Sequence, residues 1–386
     1  MNDLTVLHSC PTWLPQTQTW MYSQVAELQR QGVNAHVVCE RTENLEQFRV
    51  DNTHCLTDEP MLRQIWDRGL RKLRMRRHLQ FHVSVGRAIG ADIVHSHFGD
   101  IAWGNLDFVR KIGAKHVVTF YGFDVNKLPT KIPIWRQRYG RLFDEADLVL
   151  CEGSHMARCI VALGCPKEKV EVHHLGVDVE NIKFSPRLWQ PNDPLNVLIA
   201  ASFREKKGIP YAIEALGILH KTTPVHLTIV GDAGPDPDSQ REKGAILAAL
   251  TRSGLTHNVR LLGYQRHEVL MHEAYQHDIF LSPSITAADG DTEGGAPVTL
   301  IEMAASGMPI VSTTHCDIPE IVQHGITGLL AAERDVGGLV CHLKWLVENP
   351  NRWNGMLLAG RRRMEREYEL HTQGDTLAGY YRALVI

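Results

Sequence analysis

The sequence predicts an α/β protein made of two doubly wound domains. Short β-rich runs alternate with longer helical patterns from one end of the chain to the other, which is typical of parallel sheets with crossover helices. The length of 386 residues favours two domains with separate cores. The alternation stops at residues 181–194, NIKFSPRLWQPNDP, where three prolines interrupt the periodicity. We therefore predict an N-terminal domain over residues 1–187 and a C-terminal domain over residues 188–386.

Each predicted strand is a short apolar run beside turn residues or a helical pattern. The N-terminal runs are LTVLHSC (4–10), NAHVVCE (34–40), ADIVHSH (91–97), KHVVTFYG (115–122) and ADLVLCEG (146–153), with a first helix at 20–32. The C-terminal runs are LNVLIAAS (195–202), VHLTIVG (225–231), VRLLG (259–263), DIFLSPS (278–284), PIVST (309–313) and GLLA (328–331). Open α/β sheets bind ligands beyond the carboxyl ends of their strands, so we expect the functional site in the cleft between the domains.

Composition and charge exclude several classes of protein. Lys and Arg number 41 against 44 Asp and Glu, so the chain as a whole has no attraction for nucleic acid, and any anion site must be local. The eight cysteines include no C-x-x-C pair, which favours reduced thiols. No export signal begins the sequence, and no apolar run approaches the roughly 18 residues of a membrane span. We expect a soluble, cytoplasmic protein.

One segment departs from this neutral balance. Arg63–Arg77 contains seven cations and a single acid, Asp67, interleaved with apolar residues such as Ile65 and Trp66. The pattern predicts a basic amphipathic helix. Two interpretations remain open. The helix has a solvated face, or it makes a peripheral contact with an anionic membrane or a phosphate-bearing acceptor, because clustered cations attract an anionic surface at roughly 1 kcal/mol each.

The most informative stretch is residues 278–313, where a strand-like run leads through an acidic loop to a glycine pair and a helix. A glycine-led helix start offers free N–H groups and the positive end of the helix dipole to phosphate oxygens. Glu293 would face a sugar, and Glu302, about one turn into the helix, would face a ribose diol. The alternative is an ordinary loop with solvated acids. The backbone expected at the phosphates is that of Gly294, Gly295, Ala296, Pro297, Val298 and Thr299.

A second candidate anion site is AASFREKKGIPYAIEAL, residues 200–216, where a strand runs into a basic loop before a helix. Arg204 and Lys207 in this loop suit a diphosphate, whose charge needs compensation where no metal is bound. Lysines are also common on ordinary surfaces, so the loop alone does not distinguish a diphosphate site from a solvated basic loop.

Taken together, these segments resemble the retaining glycosyltransferases of the GT-B fold (glycosyl transferases group 1), which include glycogen synthase and bacterial polysaccharide enzymes. The chain is similar in particular to enzymes that build exopolysaccharide and colanic-acid-type repeat units. The motifs that carry the resemblance are ADIVHSHF (91–98), GFDV (122–125), VHHLGVDVENIKFSP (172–186), KKG (206–208), HLTIVGDAGP (226–235), NVRLLGYQ (258–265), DIFLSPS (278–284), LIEMAASGMPIVST (300–313) and PEIVQHGITGLL (319–330).

The resemblance implies two Rossmann-like domains facing a central cleft, with the last helices, about 365–386, packed back on the N-terminal domain. It implies that Arg204 and Lys207 hold the diphosphate of a nucleotide sugar, that Glu302 binds its ribose, and that Glu293 orients its sugar. Same-face attack, in which the departing phosphate helps remove the acceptor proton, would need no separate strong base. The further candidates are Ser202 and Tyr264 for donor binding, Asp124 and His97 for catalysis, and Tyr121 for acceptor binding.

Three positions depart from the family's pattern. Glu293 and Glu302 have eight residues between them instead of seven, because EGGAPVTLIE contains an extra glycine. Ser202 stands where the family has an arginine, five residues before the lysine, and Arg204 would have to reach the same phosphate. Tyr121 stands where the family has the histidine of a TFHG-like turn.

The loop after the first strand, CPTWLPQTQTW at residues 10–20, resembles the version found in exopolysaccharide enzymes. Sugars are recognised by aromatic faces together with amide and hydroxyl groups. The alternative is that its tryptophans only pack the first helix. The candidate acceptor contacts here are Trp13, Gln16, Gln18 and Thr19.

Two pairs of residues raise the question of a metal. Asp289 and Asp291 could hold a divalent cation on nucleotide phosphates, but that motif belongs to the single-domain GT-A fold. His95 and His97 lie at a strand end, where we expect their rings on opposite sides, and two histidines without a third ligand make a poor zinc site. We predict that neither a metal nor another cofactor is required.

The predicted activity is a hexosyltransferase-like transfer of a sugar, with retention, from a nucleotide diphosphate donor to a hydroxyl of a saccharide or lipid-linked saccharide. Two alternatives remain: a nucleotide-sugar epimerase of the same fold, and a non-catalytic protein that binds sugar nucleotides. No nucleic-acid partner is expected.

Overall fold

The structure is a computed structural model that describes residues 4–15, 20–43, 48, 50–73 and 75–386. Backbone contacts divide the chain into two compact units. One comprises Met1–Asp178 with Glu369–Ile386, and the other comprises Val179–Tyr368. Across the described ranges, no helix is long and apolar enough to cross a membrane.

The first unit is built on a parallel sheet. Its strands are β1 (Thr5–Ser9), β2 (Thr12–Trp13), β3 (Asn34–Cys39), β4 (Arg41–Thr42), β5 (Thr53–Cys55), β6 (Ile93–His97), β7 (Lys115–Phe120), β8 (Leu148–Cys151) and β9 (Val170–Val172). Its helices up to Asp178 are α1 (Trp20–Arg30), α2 (Met61–Lys72), α3 (Gln80–Ala88), α4 (Gly99–Ile112), α5 (Leu128–Lys131), α6 (Ile134–Glu145) and α7 (Ser154–Ala162), with a π-helical turn at Phe123–Lys127.

The strand order β5-β3-β1-β6-β7-β8-β9 reverses at β1, and β2 pairs separately with β4. Leu7 of β1 is in register with His36 of β3 on one side and with Val94 of β6 on the other. Every residue of β1, β6 and β8 is buried, as expected for parallel strands covered by helices on both faces. This is a doubly wound sheet, as the alternating sequence pattern predicted.

The second unit repeats this architecture. Its strands are β10 (Leu195–Ala200), β11 (Val225–Val230), β12 (Val259–Gly263), β13 (Ile279–Ser282), β14 (Ile310–Thr313) and β15 (Leu329–Ala331). Its helices are α8 (Ile209–Leu219), α9 (Pro237–Arg252), α10 (His267–Ala274), α11 (Val298–Ser306), α12 (Ile318–Ile321), α13 (Val336–Glu348) and α14 (Trp353–Glu367). The strand order β12-β11-β10-β13-β14-β15 is the Rossmann arrangement, with its reversal between β10 and β13.

The boundary predicted after residue 187 lies too late in the chain, because residues 179–187 belong to the second unit. The buried guanidinium of Arg187 donates hydrogen bonds to the carbonyls of Ala274, His277 and Ser306 at 2.8, 3.1 and 3.0 Å. These bonds fasten the proline-rich segment to the second unit. The last helix, α15 (Leu370–Val385), lies in the first unit, where Tyr381 is fully buried.

The basic helix predicted over Arg63–Arg77 is shorter than expected, since α2 ends at Lys72. The N–H groups of Met75 and Arg76 both turn back to the carbonyl of Leu70, at 3.0 and 3.4 Å, which ends the helix. Arg74 lies outside the described residues.

Candidate active site

The candidate site of the second unit lies where its strand order reverses. Strands β10 and β13 are neighbours, with Val197 in register with Ile279. Residues 202–208 follow the carboxyl end of β10, and residues 283–297 follow that of β13. In doubly wound folds, this point of a sheet is where ligands bind. The topology therefore brings together the two segments that the sequence singled out.

A close backbone approach joins these two segments. The N–H of Ile285 donates to the carbonyl of Lys206 at 2.8 Å. Gly208 has a φ of +63°, and a Cβ at this position would lie 2.0 Å from the carbonyl oxygen of Pro283. Only glycine fits both the left-handed conformation and the contact. The glycine of the KKG motif is thus required by packing between the β10 and β13 loops.

Lys207 and Glu293 form the central ion pair of the site. The Lys207 Nζ lies 2.7 Å from the Glu293 Oε2, and the Ser284 hydroxyl donates to the Oε1 at 2.7 Å. Burial alone would raise the pKa of Glu293, but the charges of Lys207 and Lys206 outweigh it and lower the pKa to about 2. Glu293 is therefore an ionised hydrogen-bond acceptor at neutral pH.

Lys206 makes a second, parallel pair. Its ammonium lies 3.2 Å from the Asp291 Oδ1 and donates to the carbonyl of Thr292 at 2.8 Å. The side chain of Asp289 accepts the Asp291 N–H at 3.1 Å. The two aspartates are thus engaged with an ammonium and a backbone amide.

His315 and Glu333 support Glu293 and were missed by the sequence analysis. The Glu293 N–H donates to the His315 Nε2 at 3.1 Å, so the proton of the neutral ring is on Nδ1, 2.6 Å from the Glu333 Oε1. Glu333 also accepts the Thr286 N–H at 2.8 Å. His315 follows β14, the strand next to β13, and that position at a carboxyl end is the signal that could have identified it.

Gly294 to Thr299 form the predicted glycine-led helix start. Gly294 has a φ of +81°, and α11 begins at Val298 directly after Pro297. Gly295, Ala296 and Thr299 complete the segment. The N–H groups of Val298 and Thr299 are the first of α11 and have no partner within the helix, whereas the N–H of Leu300 donates to the Pro297 carbonyl at 2.9 Å. The first two are therefore the ones available to an anion.

Arg204 contacts a different carboxylate from the one that Lys207 contacts. Its guanidinium is 3.6 Å from the Asp236 Oδ2, and its side chain is half exposed. Its backbone N–H donates to the carbonyl of Ser202 at 2.9 Å. Tyr264 is also partly exposed, and burial raises the pKa of its hydroxyl against the opposing charge of Arg204. A donor-binding role for these three residues stays a prediction.

Glu302 has a partner that the sequence did not reveal. Its Oε1 lies 2.7 Å from the Nε2 of His267, the first residue of α10. The hydrogen bond to Glu302 raises the pKa of His267. Glu302 is largely buried, whereas the His267 side chain is half exposed. The pair therefore presents an imidazole edge at the surface, backed by a carboxylate.

The candidate residues of the first unit are more deeply buried than expected. Asp124 has no exposed surface, and its two carboxylate oxygens accept the N–H groups of Gly99 and Tyr121 at 2.7 and 2.9 Å. Burial raises its pKa to about 7. Asp124 thus caps the start of α4 and the turn after β7. A catalytic role for Asp124 stays a prediction.

His95 and His97 point to the same side of β6, so the expectation of opposite sides is wrong. Residues two apart in a strand share a face, and the two rings stack with centroids 4.5 Å apart. His8 of β1 joins them, with its Nδ1 3.1 Å from the His97 Nε2. The other His97 nitrogen hydrogen-bonds the Tyr121 hydroxyl at 2.7 Å.

Within the described part of the chain, these three histidines form a group whose ring nitrogens lie close enough together to share a metal ion. Their arrangement does not fit one. The two His95 nitrogens are engaged by the hydroxyls of Tyr381 and Thr119 at 2.5 and 2.6 Å. The planes of the stacked His95 and His97 rings are within 23° of parallel. The nitrogen lone pairs of metal ligands would instead have to converge on the ion. Burial lowers the pKa of all three, so they form a neutral hydrogen-bonded network.

The predicted acceptor contacts have mixed outcomes. Trp13 is fully buried in the core of the first unit, so it has no ring face on which a sugar could stack. Trp13 therefore matches the alternative interpretation, in which the tryptophans of this loop serve packing. Tyr121 is nearly buried under Trp20, with ring centroids 4.9 Å apart. Gln16, Gln18 and Thr19 lie outside the described residues.

Comparison with known structures identifies the class to which this fold belongs. The structure of Anabaena Alr3699/HepE in complex with UDP and glucose matches 99% of this chain and all of its own, with a TM-score of 0.79 and 17% identity. The sucrose-phosphate synthase of Thermosynechococcus elongatus matches with a TM-score of 0.78 and 15% identity, over 99% of each chain. The fold is that of the GT-B glycosyltransferases.

The sequence relatives define the family. A family model described as "Glycosyl transferases group 1" matches residues 194–349, and one described as "Glycosyltransferase Family 4" matches residues 17–181. The amylovoran biosynthesis glycosyltransferase AmsK of Erwinia amylovora is 34% identical over 76% of this chain and 70% of its own. The putative colanic acid biosynthesis glycosyltransferase WcaL of Escherichia coli is 34% identical over 66% and 61%, respectively. The chain belongs to the group 1 glycosyltransferases and is an enzyme of EC 2.4 type.

Proposed function

We propose that this enzyme transfers a sugar, with retention, from a nucleoside diphosphate donor to a hydroxyl of a saccharide or lipid-linked saccharide, in exopolysaccharide biosynthesis. The observation that carries the proposal is the Lys207–Glu293 pair at the strand reversal of the second unit. The amylovoran and colanic acid enzymes support the pathway class. The Anabaena HepE complex with UDP-glucose supports the class of donor.

The ionised state of Glu293 limits what it can do. A carboxylate whose pKa is about 2 cannot protonate a leaving group near neutral pH. It can accept hydrogen bonds from sugar hydroxyls and stabilise positive charge that develops on the sugar ring. We assign Glu293 this orienting role.

The leaving diphosphate then needs a source of positive charge. Lys207, Arg204 and the amides that open α11 supply it in the proposal, without a required metal. Because the Lys207 ammonium has three N–H donors, it can donate one hydrogen bond to a phosphate oxygen while it keeps the 2.7 Å bond to Glu293. The departing phosphate takes the acceptor proton, so no separate strong base is needed.

Glu302 would bind the ribose, and His267 would hold the Glu302 carboxylate in position. A carboxylate that accepts from His267 on one oxygen has a second oxygen for the ribose diol.

The location proposed for the enzyme is cytoplasmic and membrane-peripheral, since a lipid-linked acceptor would be held at a bilayer.

The test is a transfer assay with a panel of UDP- and GDP-sugars, with and without an oligosaccharide acceptor. The expected result is acceptor-dependent release of nucleoside diphosphate, with the anomeric configuration of the donor retained in the product by NMR. A change of donor stereochemistry without acceptor would indicate an epimerase instead. A donor bound tightly, giving about 2.7 kcal/mol of stabilisation at 100 times its dissociation constant, but never turned over would indicate a binding protein.

A further inference from the structure

Helix α2 turns one row of charged side chains, Arg63, Asp67 and Arg71, to the protein and its large apolar side chains to solvent. Asp67 is buried and accepts the N–H groups of Gln80 and Phe81 at 3.0 and 2.8 Å, which caps α3. Four residues to either side, Arg63 pairs with Glu59 and Arg71 with Glu40. Residues four apart lie on one face of a helix, so this charged face is the anchored one.

The opposite face is a continuous apolar surface, which we call the α2 apolar face. Large apolar side chains one helical turn apart remain 61 to 83% exposed along it, and two more follow the end of the helix at 70 and 71%. An amphipathic helix of a soluble domain normally buries such a stripe. The α2 apolar face consists of Met61, Leu62, Ile65, Trp66, Leu73 and Met75.

Unpaired cations border this face. Arg68, Lys72 and Arg76 have no ion-pair partner within the part of the chain that the structure describes, in contrast to Arg63 and Arg71. The chain as a whole carries a formal charge of -3, so this positive border is a local feature and not a consequence of composition.

We propose that the α2 apolar face, with Arg68, Lys72 and Arg76 at its border, docks on an anionic phospholipid bilayer. Leu62 and Trp66 would enter the boundary between headgroups and acyl chains, while the three cations contact lipid phosphates. Tryptophan favours this depth because its ring is amphipathic. A second copy of this chain is a poorer occupant, because it would place the same cations against one another.

The docking does not depend on sugar transfer, so it is tested by binding alone. The full-length protein is floated with vesicles of phosphatidylcholine and with vesicles of mixed phosphatidylcholine and phosphatidylglycerol. The expected result is binding to the mixed vesicles only, weakened at high salt because exposed charges are screened. Binding to neither kind of vesicle, or equal binding to both, would overturn the proposal.

Two sets of substitutions separate the contribution of the cations to vesicle binding from that of the apolar side chains. Since each cation near an anionic surface favours binding about fivefold, Arg68→Gln, Lys72→Gln and Arg76→Gln together are expected to weaken it roughly 100-fold. The pair Leu62→Ser and Trp66→Ser should abolish binding at any salt concentration. Matched controls are Lys221→Gln with Arg362→Gln for charge, and Leu188→Ser with Ile326→Ser for exposed apolar surface.

The controls should bind as the wild type does, with unchanged thermal unfolding for all variants. If the control pairs weaken vesicle binding as much as the α2 variants do, the attraction is not specific to this face and the proposal fails. If Leu62→Ser with Trp66→Ser instead converts a dimer to a monomer by light scattering, the face is covered by a second copy, and the proposal fails as well.

Discussion

The ammonium of Lys207 lies 2.7 Å from a carboxylate oxygen of Glu293, and the two side chains retain only 18% and 6% of their exposure. The pair joins a loop that follows β10 to a loop that follows β13. Because both groups are largely removed from water, each supplies the charge that compensates the other. This interdependence makes the pair accessible to both stability and activity measurements.

Lys207→Gln is expected to lower the free energy of unfolding by about 3 kcal/mol, because it leaves the Glu293 carboxylate buried without its cation. Urea denaturation of the full chain measures the loss. Adding Glu293→Gln to this variant should restore much of the stability, since no buried charge then lacks a partner, but it should not restore sugar transfer. A single variant as stable as the wild type would show that the pair is solvated.

The pH dependence of stability should also report Glu293. Its pKa is lowered from 4.5 to about 2 in the folded protein, so its stabilising contribution is present above about pH 4.5 and is lost as the pH falls toward 2. The full contribution is about 3 kcal/mol. Unfolding free energies of the wild type and Glu293→Gln, measured over this range, should converge as the pH falls. Parallel curves would contradict the lowered pKa.

His267 is expected to titrate above its ordinary pKa of 6.5, because Glu302 accepts a hydrogen bond from its ring. Its contribution to stability is present below pH 6.5 and is lost as the pH rises through the raised pKa. NMR titration of the ring protons measures this, and Glu302→Gln should return the pKa toward 6.5. In the proposed ribose site, His267→Ala should also weaken donor binding about tenfold, one lost hydrogen bond to a charged group. An unshifted His267 in the wild type would rule out the pair in solution.

Gly208→Ala tests the close approach of the two loops. The new Cβ would lie 2.0 Å from the Pro283 carbonyl oxygen in addition to the unfavourable φ, so both stability and donor binding should fall. Gly254→Ala is the matched control, since Gly254 has a similar φ of +69° but open space around it. The control should lose only about 1 kcal/mol, the cost of a left-handed alanine. Equal losses in the two variants would mean that the contact with Pro283 contributes nothing.

The sequence predicted the parts of this molecule that depend on periodicity and order. The alternation of strands and helices indicated two doubly wound sheets, and the KKG and EGGAP segments lie at the reversal of the second sheet. The domain boundary was missed because a proline-rich segment resembles a linker. The hydrogen bonds of Arg187 that fasten it to the second unit join residues far apart in the chain.

Burial was the other property that the sequence did not reveal. Asp124 and Trp13 are residue types typical of sugar sites, yet the structure buries one as a cap for α4 and the other in a core. Conversely, His267 and His315 belong to no motif and become visible only when the topology places them beside Glu302 and Glu293. Side-chain environment depends on tertiary packing, whereas the alternation of strands and helices along the chain follows from local pattern.

The most direct test of the proposed donor site is a calorimetric titration of the full chain with UDP-glucose and GDP-mannose in buffer containing EDTA. For the sugar nucleotide that the wild type binds, Lys207→Gln should weaken binding at least tenfold, the loss of one charge-assisted contact to phosphate. Lys221→Gln, an exposed lysine elsewhere in the same unit, should bind as the wild type does. Unchanged binding by Lys207→Gln, or wild-type binding that disappears in EDTA, would contradict a metal-independent diphosphate site at the Lys207–Glu293 pair.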